Sequence, residues 1–177
     1  PAGEVQQRCR AVRQTLKDPF ALRMVPAGPV SAGRAAEQFK VICSSCHGLA
    51  GRGDGPAAAA LKPPPVSFHD GTRMGEVAPS LAFHTLTFGV PGTPMASFDA
   101  LPAHERWNLA FYVVALRHGV PGAAAPPPDS PAVRRLASPE LLAERSDNEL
   151  LAELAGAGLS AAAQQSALDY LRASAPF

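Results

Sequence analysis

Cysteine and histidine lie close enough together in one short stretch of this chain to bind a metal or a porphyrin: Cys43, Cys46 and His47, in the order Cys-Ser-Ser-Cys-His. Two thiols three residues apart on one helical turn can each form a thioether with a vinyl group of the same porphyrin. The adjacent imidazole is then held under the iron as its proximal ligand. The pattern therefore predicts covalent attachment of a c-type haem, with thioethers at Cys43 and Cys46 and iron at His47.

Two other uses of a Cys-x-x-Cys pair compete with haem attachment. Thioredoxin-like proteins use the pair for redox exchange within a βαβ unit, and the sequence shows no such pattern. A structural zinc site needs four ligands, usually from a second cysteine pair, whereas the remaining thiol, Cys9, lies 34 residues before Cys43. Haem attachment is the interpretation that best fits the sequence.

The iron above His47 needs a sixth ligand if the protein carries electrons, or an open position if it binds or transforms a small molecule. Met95 is the strongest candidate, because it lies 48 residues after His47 in a turn that Pro91 and Pro94 restrict. His84 is the second candidate, since it lies on the helix expected to face this turn. The other methionines and histidines are expected to be packing or surface residues: Met24, Met74, His69, His104 and His118.

Helical patterns on both sides of the motif must position it. Ser31 precedes a helix that runs into the motif, in which Ala35, Phe39 and Ile42 share one face. Phe39, four residues before Cys43, is expected to point into the core beside the porphyrin. Residues 48–72, rich in glycine and proline, indicate an ordered loop that wraps one side of the haem around a short helix at 57–61.

Two further helices follow the loop. Ser80 is expected to cap a helix from Leu81 to Phe88 that ends at Gly89. Pro102 is expected at the first position of the most apolar helix of the chain. Its apolar and aromatic residues are Trp107, Leu109, Phe111, Tyr112, Val113 and Leu116.

The remaining segments suggest four parts of an all-α chain. Residues 1–30 are predicted to be an N-terminal helical extension and residues 31–119 the haem domain. Residues 120–137 are Ala/Pro-rich and predict a semi-stiff linker, and residues 138–177 predict a helical hairpin. The hairpin begins with a capping box, Ser146 to Glu149.

Charge and hydropathy exclude several functions. The formal net charge of +1 argues against nucleic-acid binding and against strong attraction to a membrane surface. Residues 1–128 carry twelve Arg or Lys against eight Asp or Glu, whereas residues 129–177 carry four against seven, so the tail is acidic. The longest apolar run, Leu109 to Leu116, is shorter than the roughly 18 residues that cross a bilayer, so no transmembrane segment is expected.

The start of the chain and the motif together predict a location. The chain begins at Pro1 without an initiator Met, which suggests a removed export signal or excision from a longer protein. Haem of this type is attached on the non-cytoplasmic side of energy-transducing membranes. The predicted location is therefore the periplasm, with the protein either free or tethered in a membrane complex.

These features resemble a monohaem cytochrome c over residues 31–119. The resemblance rests on Cys43-Ser-Ser-Cys46-His47-Gly48, on Gly-Val-Pro-Gly-Thr-Pro-Met95, and on a final amphipathic helix with Leu109 and Tyr112. It implies a cytochrome c-like fold, one covalent haem c, and iron ligation by His47 and Met95. It also implies that a proline carbonyl from residues 63–65, with Pro64 at their centre, orients His47 through its other ring nitrogen.

A longer string is similar to cytochrome domains associated with high-affinity bacterial iron permeases. It reads Gly-Asp-Gly-Pro56, Leu-Lys-Pro-Pro-Pro65, Gly-Val-Pro-Gly-Thr-Pro-Met95 and Glu-Arg-Trp107-Asn-Leu-Ala-Phe-Tyr112-Val. Two positions depart from that family. Ala35 stands where a glycine is common, and Ala96 stands where a proline often follows the ligand methionine.

The sequence thus predicts an electron-transfer protein, not an enzyme, whose haem cycles between Fe(II) and Fe(III). Redox partners are expected to dock at a partly exposed haem edge, with Arg52 and Arg73 as rim or propionate contacts and Phe98 in the pocket. Two alternatives stay open. One is the haem module of a ferrous-iron uptake system beside a membrane permease, and the other is a haem enzyme or gas sensor with a labile sixth ligand.

Overall fold

The computed structural model describes residues 25–119 and 129–174. The expected helix at 4–17 with Cys9, as well as Met24 and half of the expected linker, lie outside these residues. All regular elements in the described ranges are helices, and no strand occurs there, which confirms the all-α prediction and is consistent with a cytochrome c-like fold. None of the described helices is long and apolar enough to span a membrane.

The motif lies at the C-terminal end of one continuous helical segment, residues 32–47, the motif rod. Helix α1 (Ala32–Gln38) begins where the Ser31 side chain accepts the N–H of Arg34, as predicted. It continues through a π-helical turn (Phe39–Cys43) into α2 (Ser44–His47). π turns occur frequently at functional sites, and this one ends at the first cysteine of the motif.

The loop after the motif contains little regular structure. The helix expected at 57–61 is a single 3₁₀ turn, Ala58–Ala60. Helix α3 (Gly71–Met74) follows, capped by Asp70, whose carboxylate accepts the N–H groups of Thr72 and Arg73. The loop is therefore ordered by turns and caps and not by long elements.

Helices α4 (Pro79–Phe88) and α5 (Ala103–Ala115) pack against each other and form the centre of the fold. The predicted cap at Ser80 is wrong, because Pro79 occupies the first helical position and Ser80 lies buried in the first turn. A proline has its φ already fixed for a helix and needs no N–H there. A 3₁₀ turn, Leu116–His118, extends α5 at its C-terminal end.

The tail forms more helix than the predicted hairpin. Its elements are α6 (Pro131–Leu136), α7 (Pro139–Glu144), α8 (Asp147–Gly156) and α9 (Ala161–Ala173). Residues 131–136 were expected to be linker, but each proline at the start of α6 and α7 follows a serine that caps the helix. The capping box at Ser146 and Glu149 is confirmed.

The tail (residues 129–174) and the segment that contains the motif (residues 31–119, the haem segment) share one hydrophobic core. Helix α9 packs on α5, and α7 packs on α4. Buried side chains from both segments belong to the same cluster: Phe39, Leu109 and Val114 from the haem segment, and Leu136, Leu150 and Leu168 from the tail. The tail is thus a structural part of the described fold.

Candidate haem site

The two thiols of the motif lie on consecutive turns of the same rod. Cys43 closes the π turn and Cys46 follows in α2, and both are unpaired and half-buried. Burial, and to a smaller extent the neighbouring Cys46, together raise the pKa of the Cys43 thiol to about 12. Cys43 is therefore a neutral thiol at physiological pH. This arrangement fits two thioethers to one porphyrin.

His47 is held in one tautomer. Its Nδ1–H donates to the carbonyl oxygen of Val66 at 3.2 Å, which leaves the Nε2 lone pair available to a metal. Burial lowers the pKa of His47, although the hydrogen bond to Val66 opposes this effect. The imidazole is therefore neutral near pH 7, the form that binds a metal.

The carbonyl that orients His47 is not the predicted proline carbonyl. Pro65 directly precedes Val66, but its own carbonyl faces the backbone of Gly53, where an added Cβ would lie 2.6 Å from the Pro65 oxygen. Pro64 is exposed. The carbonyl that accepts from His47 therefore belongs to Val66, the first residue after the three prolines.

The glycine-rich loop completes the end of the motif helix. The last carbonyls of a helix have no partner within it. Here they accept backbone N–H groups from the loop: Ser45 from Ala57 at 2.9 Å, Cys46 from Gly55 at 3.1 Å and His47 from Gly53 at 2.8 Å. The approach is close, since a Cβ on Gly55 would lie 2.4 Å from the Ser45 oxygen. The loop thus fixes the backbone that carries Cys46 and His47.

An aromatic cluster lies behind His47. The Phe68 ring stacks on the imidazole with a centroid distance of 4.6 Å and an interplanar angle of 21°. Phe39, which is 1% exposed, meets Phe68 edge-on and also contacts Tyr112 of α5. Sequence reasoning identified Phe39 but missed Phe68. The available signal was a large apolar residue in a polar loop already expected to wrap the haem.

Met95 lies in a loop that is tied to the C-terminal end of α4. Its carbonyl accepts the N–H of Val90 at 3.0 Å, and its own N–H donates to the Thr93 hydroxyl at 3.2 Å. Three residues later, the N–H of Phe98 donates to the Leu86 carbonyl at 2.7 Å. Met95 and Phe98 are both half-buried and pack on the core. The loop therefore holds the Met95 backbone in one place.

Several other candidate ligands are engaged elsewhere. Met74 is 4% exposed and belongs to the core, and His69 contacts the Ala50 carbonyl through Nε2 at 2.7 Å. His118 lies between the carboxylates of Asp147 and Asp169. His104 is exposed. His84, the second candidate, is half-buried, and its ring contacts those of Phe83 and Phe88.

Arg52 and Arg73 are both exposed. Arg52 lies in the glycine-rich loop that caps the motif helix, and Arg73 lies in α3. Their assignment as rim or propionate contacts stays a prediction.

Residues 32–117 match the model of the cytochrome c family. No curated protein matches the chain. Among solved structures, the chain is similar to the reducing HAO-like protein complex Kustc0457/Kustc0458 of Kuenenia stuttgartiensis, with 33% identity over 54% of this chain and 49% of that chain and a TM-score of 0.48. The chain thus spans about half the length of that protein. The family match over residues 32–117, together with the Cys43–His47 motif and the all-helical fold, supports a c-type cytochrome.

Proposed function

We propose that this protein is a periplasmic electron carrier with one covalent haem c, held by thioethers at Cys43 and Cys46 and ligated by His47 and Met95. The observation that carries the proposal is the hydrogen bond from His47 Nδ1–H to the Val66 carbonyl. It leaves the Nε2 lone pair available to iron on the residue that directly follows Cys46 in the chain. When bound, the haem supplies reversible one-electron chemistry.

The residues around the motif fit such a group. The half-buried thiols and the neutral imidazole are the donors that covalent attachment and iron ligation require. The capped end of α2 fixes Cys46 and His47, and the aromatic cluster of Phe39, Phe68 and Tyr112 backs them with apolar surface. This chain would therefore hold the group with a mostly apolar proximal side whose backbone is fixed by hydrogen bonds.

Met95 is proposed as the sixth ligand. Its loop is anchored to α4 through Val90, Thr93 and Phe98, so little conformational entropy is lost when the thioether binds. A methionine in this position raises the reduction potential relative to a second histidine. The proposed carrier therefore has a moderate to high potential, and its filled sixth position disfavours binding of a substrate at iron.

The surface around the motif and the Met95 loop suits transient docking. Val41 and Leu49 flank the motif and are 78% and 71% exposed, and Phe88 is 73% exposed beside the Met95 loop. Contiguous exposed apolar patches mark interaction sites, and we propose that these side chains belong to one. Because the net charge is only +1, we propose that partners are attracted mainly by apolar contact and not by charge steering.

The ligand assignment is tested by absorption spectra of the purified haem protein in both oxidation states. Ferric haem with a thioether ligand shows a weak far-red charge-transfer band. We expect this band in the wild type, its loss in Met95→Ala, and its retention in Met74→Leu, a matched change at a buried core methionine. A band that survives Met95→Ala would contradict the assignment, and His84→Ala would then be the variant to examine.

The enzyme and gas-sensor alternative differs in its ferrous chemistry. An open or labile sixth position binds carbon monoxide rapidly and strongly, whereas a Met95-ligated carrier binds it slowly or weakly. Rapid carbon monoxide binding to the native ferrous protein would therefore contradict the electron-carrier proposal. A role beside an iron permease stays a prediction from the sequence resemblance.

A further inference from the structure

We propose that Phe68 is a positioning residue for His47, whose stacked ring sets the rotation of the imidazole plane about the iron–nitrogen axis. The inference deepens the proposed function and rests on it, because it assumes iron at His47 Nε2. It concerns a residue that touches the proximal ligand and not the iron itself.

Two different contacts hold the imidazole, and both come from one short segment. The Val66 carbonyl accepts from Nδ1 at 3.2 Å and fixes one edge of the ring. A single hydrogen bond at an edge still permits the ring to rock about the line through that bond. Phe68, two residues later, lies nearly parallel to the face of the imidazole at 4.6 Å and 21°. The stacked ring blocks the rocking that the hydrogen bond leaves open.

Phe68 is itself held from two sides. Its N–H donates to the Gly51 carbonyl at 2.8 Å. Gly51 has a φ of +72°, and a Cβ there would lie 2.9 Å from the Phe68 ring and 2.7 Å from the Leu116 side chain. The missing side chain thus allows the ring to lie against the loop backbone, with Leu116 beside it. This contact links the position of Phe68 to the end of α5.

The aromatic cluster fixes the ring orientation further. Phe39 meets Phe68 with centroids 6.1 Å apart and planes inclined by 64°, and it contacts Tyr112 at 5.5 Å. Edge-to-face pairs of this kind are energetically favourable and directional. The plane of His47 is therefore determined by side chains from the motif rod, the loop and α5 together, and not by the hydrogen bond alone.

Partners of a ligating histidine tune the metal by fixing its ring orientation. The imidazole plane decides which iron d orbital the ring overlaps, and this overlap sets the g values of low-spin ferric haem and the spread of the haem-methyl NMR shifts. A ring that rocks more widely gives broadened or displaced g values. These signals report the orientation of His47 without reference to activity.

The test compares Phe68→Leu with two other variants of the haem-loaded protein. Phe68→Leu removes the stacked face, and Phe68→Tyr keeps it. Phe111→Leu makes the same chemical change at a core phenylalanine that is 2% exposed and contacts Trp107. We expect shifted g values and haem-methyl shifts in Phe68→Leu alone, with wild-type signals in the other two. Wild-type signals in Phe68→Leu, or equal shifts in Phe111→Leu, would overturn the proposal.

A measurement on the wild type guards against poor folding of Phe68→Leu. In the diamagnetic ferrous protein, nuclear Overhauser contacts between the rings of Phe68 and His47 are expected, and their absence would also overturn the inference. The two proposals fail in distinguishable ways. Absence of covalent haem from the wild type removes both, whereas a haem-loaded, His47-ligated protein with an unaffected Phe68→Leu removes only the positioning role.

Discussion

Asp147 is the buried anion that joins the end of α5 to the tail, and replacing it with asparagine should destabilise the whole fold. Its carboxylate accepts from Arg172 Nε at 2.6 Å, from Arg117 Nη2 at 2.6 Å and from His118 Nε2 at 2.8 Å. Asp147 is fully buried, and Arg172 is 1% exposed. The asparagine variant keeps the shape of the side chain but removes the negative charge that compensates the guanidinium groups of Arg117 and Arg172.

The expected cost is bounded by two physical arguments. Burial on its own raises the pKa of Asp147, but the hydrogen bonds and charges of His118 and Arg172 outweigh it and lower the pKa from 3.8 to about 2. That depression corresponds to about 2 kcal/mol of stabilisation by the charged form. Removing one partner of a buried ion pair typically costs about 3–5 kcal/mol, because the remaining charge stays buried. Asp147→Asn should therefore lower the free energy of unfolding by about 2–5 kcal/mol.

Loss of the Asp147 charge should destabilise the fold more than loss of Arg172, because the two residues keep different partners when the other is replaced. Without Asp147, Arg172 keeps its hydrogen bonds to the uncharged carbonyls of Leu142 and Arg145, and Glu149 remains as a weaker electrostatic attraction. Without Arg172, the carboxylate of Asp147 still has Arg117 as a counter-charge. We therefore expect Asp147→Asn to be more destabilising than Arg172→Met, which also replaces the guanidinium by apolar volume.

The assay is urea unfolding of the haem-loaded protein, followed by far-ultraviolet circular dichroism. The matched control is Asp129→Asn, which removes a carboxylate from the exposed pair with Arg134, where the aspartate is 90% exposed. The control should leave the urea midpoint unchanged. A loss of less than about 1 kcal/mol in Asp147→Asn would refute the view that this network holds the tail to the haem segment.

Three other measurements follow from the structure. The pKa of Asp147 is lower in the folded than in the unfolded protein, so its stabilising effect is complete above about pH 5 and is lost as the pH falls through about 2. Asp147→Asn should therefore reduce the fall of the melting temperature at acid pH. An unchanged fall would contradict the assignment. Gly55→Ala should lower stability by about 1–3 kcal/mol, because its Cβ would meet backbone oxygens. Gly33→Ala, with open space around it in helix α1, should leave stability unchanged or raise it by up to about 1 kcal/mol, and equal melting temperatures of the two variants would count against the close approach. Phe88→Ser should slow electron exchange between oxidised and reduced copies of the protein without changing the reduction potential. The rate is measured by NMR line broadening, and an unaltered rate would exclude this part of the surface from docking.

Local patterns predicted several helix ends correctly. The helix that starts after Ser31, the helix ending at Gly89 and the capping box at Ser146 each depend on neighbours within a few residues, so the sequence contains the required information. The motif likewise makes Cys43 and His47 candidates, because its chemistry requires fixed spacing, and their role stays a prediction. Prolines were less informative, since one that starts a helix and one that belongs to a linker look alike in composition.

Contacts across long sequence distances could not be predicted from the chain. Val66 lies 19 residues after His47, and which carbonyl of the loop reaches the imidazole depends on how the glycines let it fold back. The stack of Phe68 on His47 depends on the same fold. The attachment of the tail through Asp147 required knowing that α8 and α9 meet the end of α5, and no local pattern encodes that meeting.

The π turn at Phe39–Cys43 changes the direction in which the side chains after it point relative to those of α1. Each residue of an α-helix advances the side-chain direction by about 100°, so an inserted residue rotates everything after it relative to everything before it. Ala35 and Phe39 can thus face the core while Cys46 and His47, which follow the turn, point in a different direction. Deleting one residue here would leave α1 packed correctly and rotate Cys46 and His47 away from their present positions, a change that conservative substitutions cannot imitate.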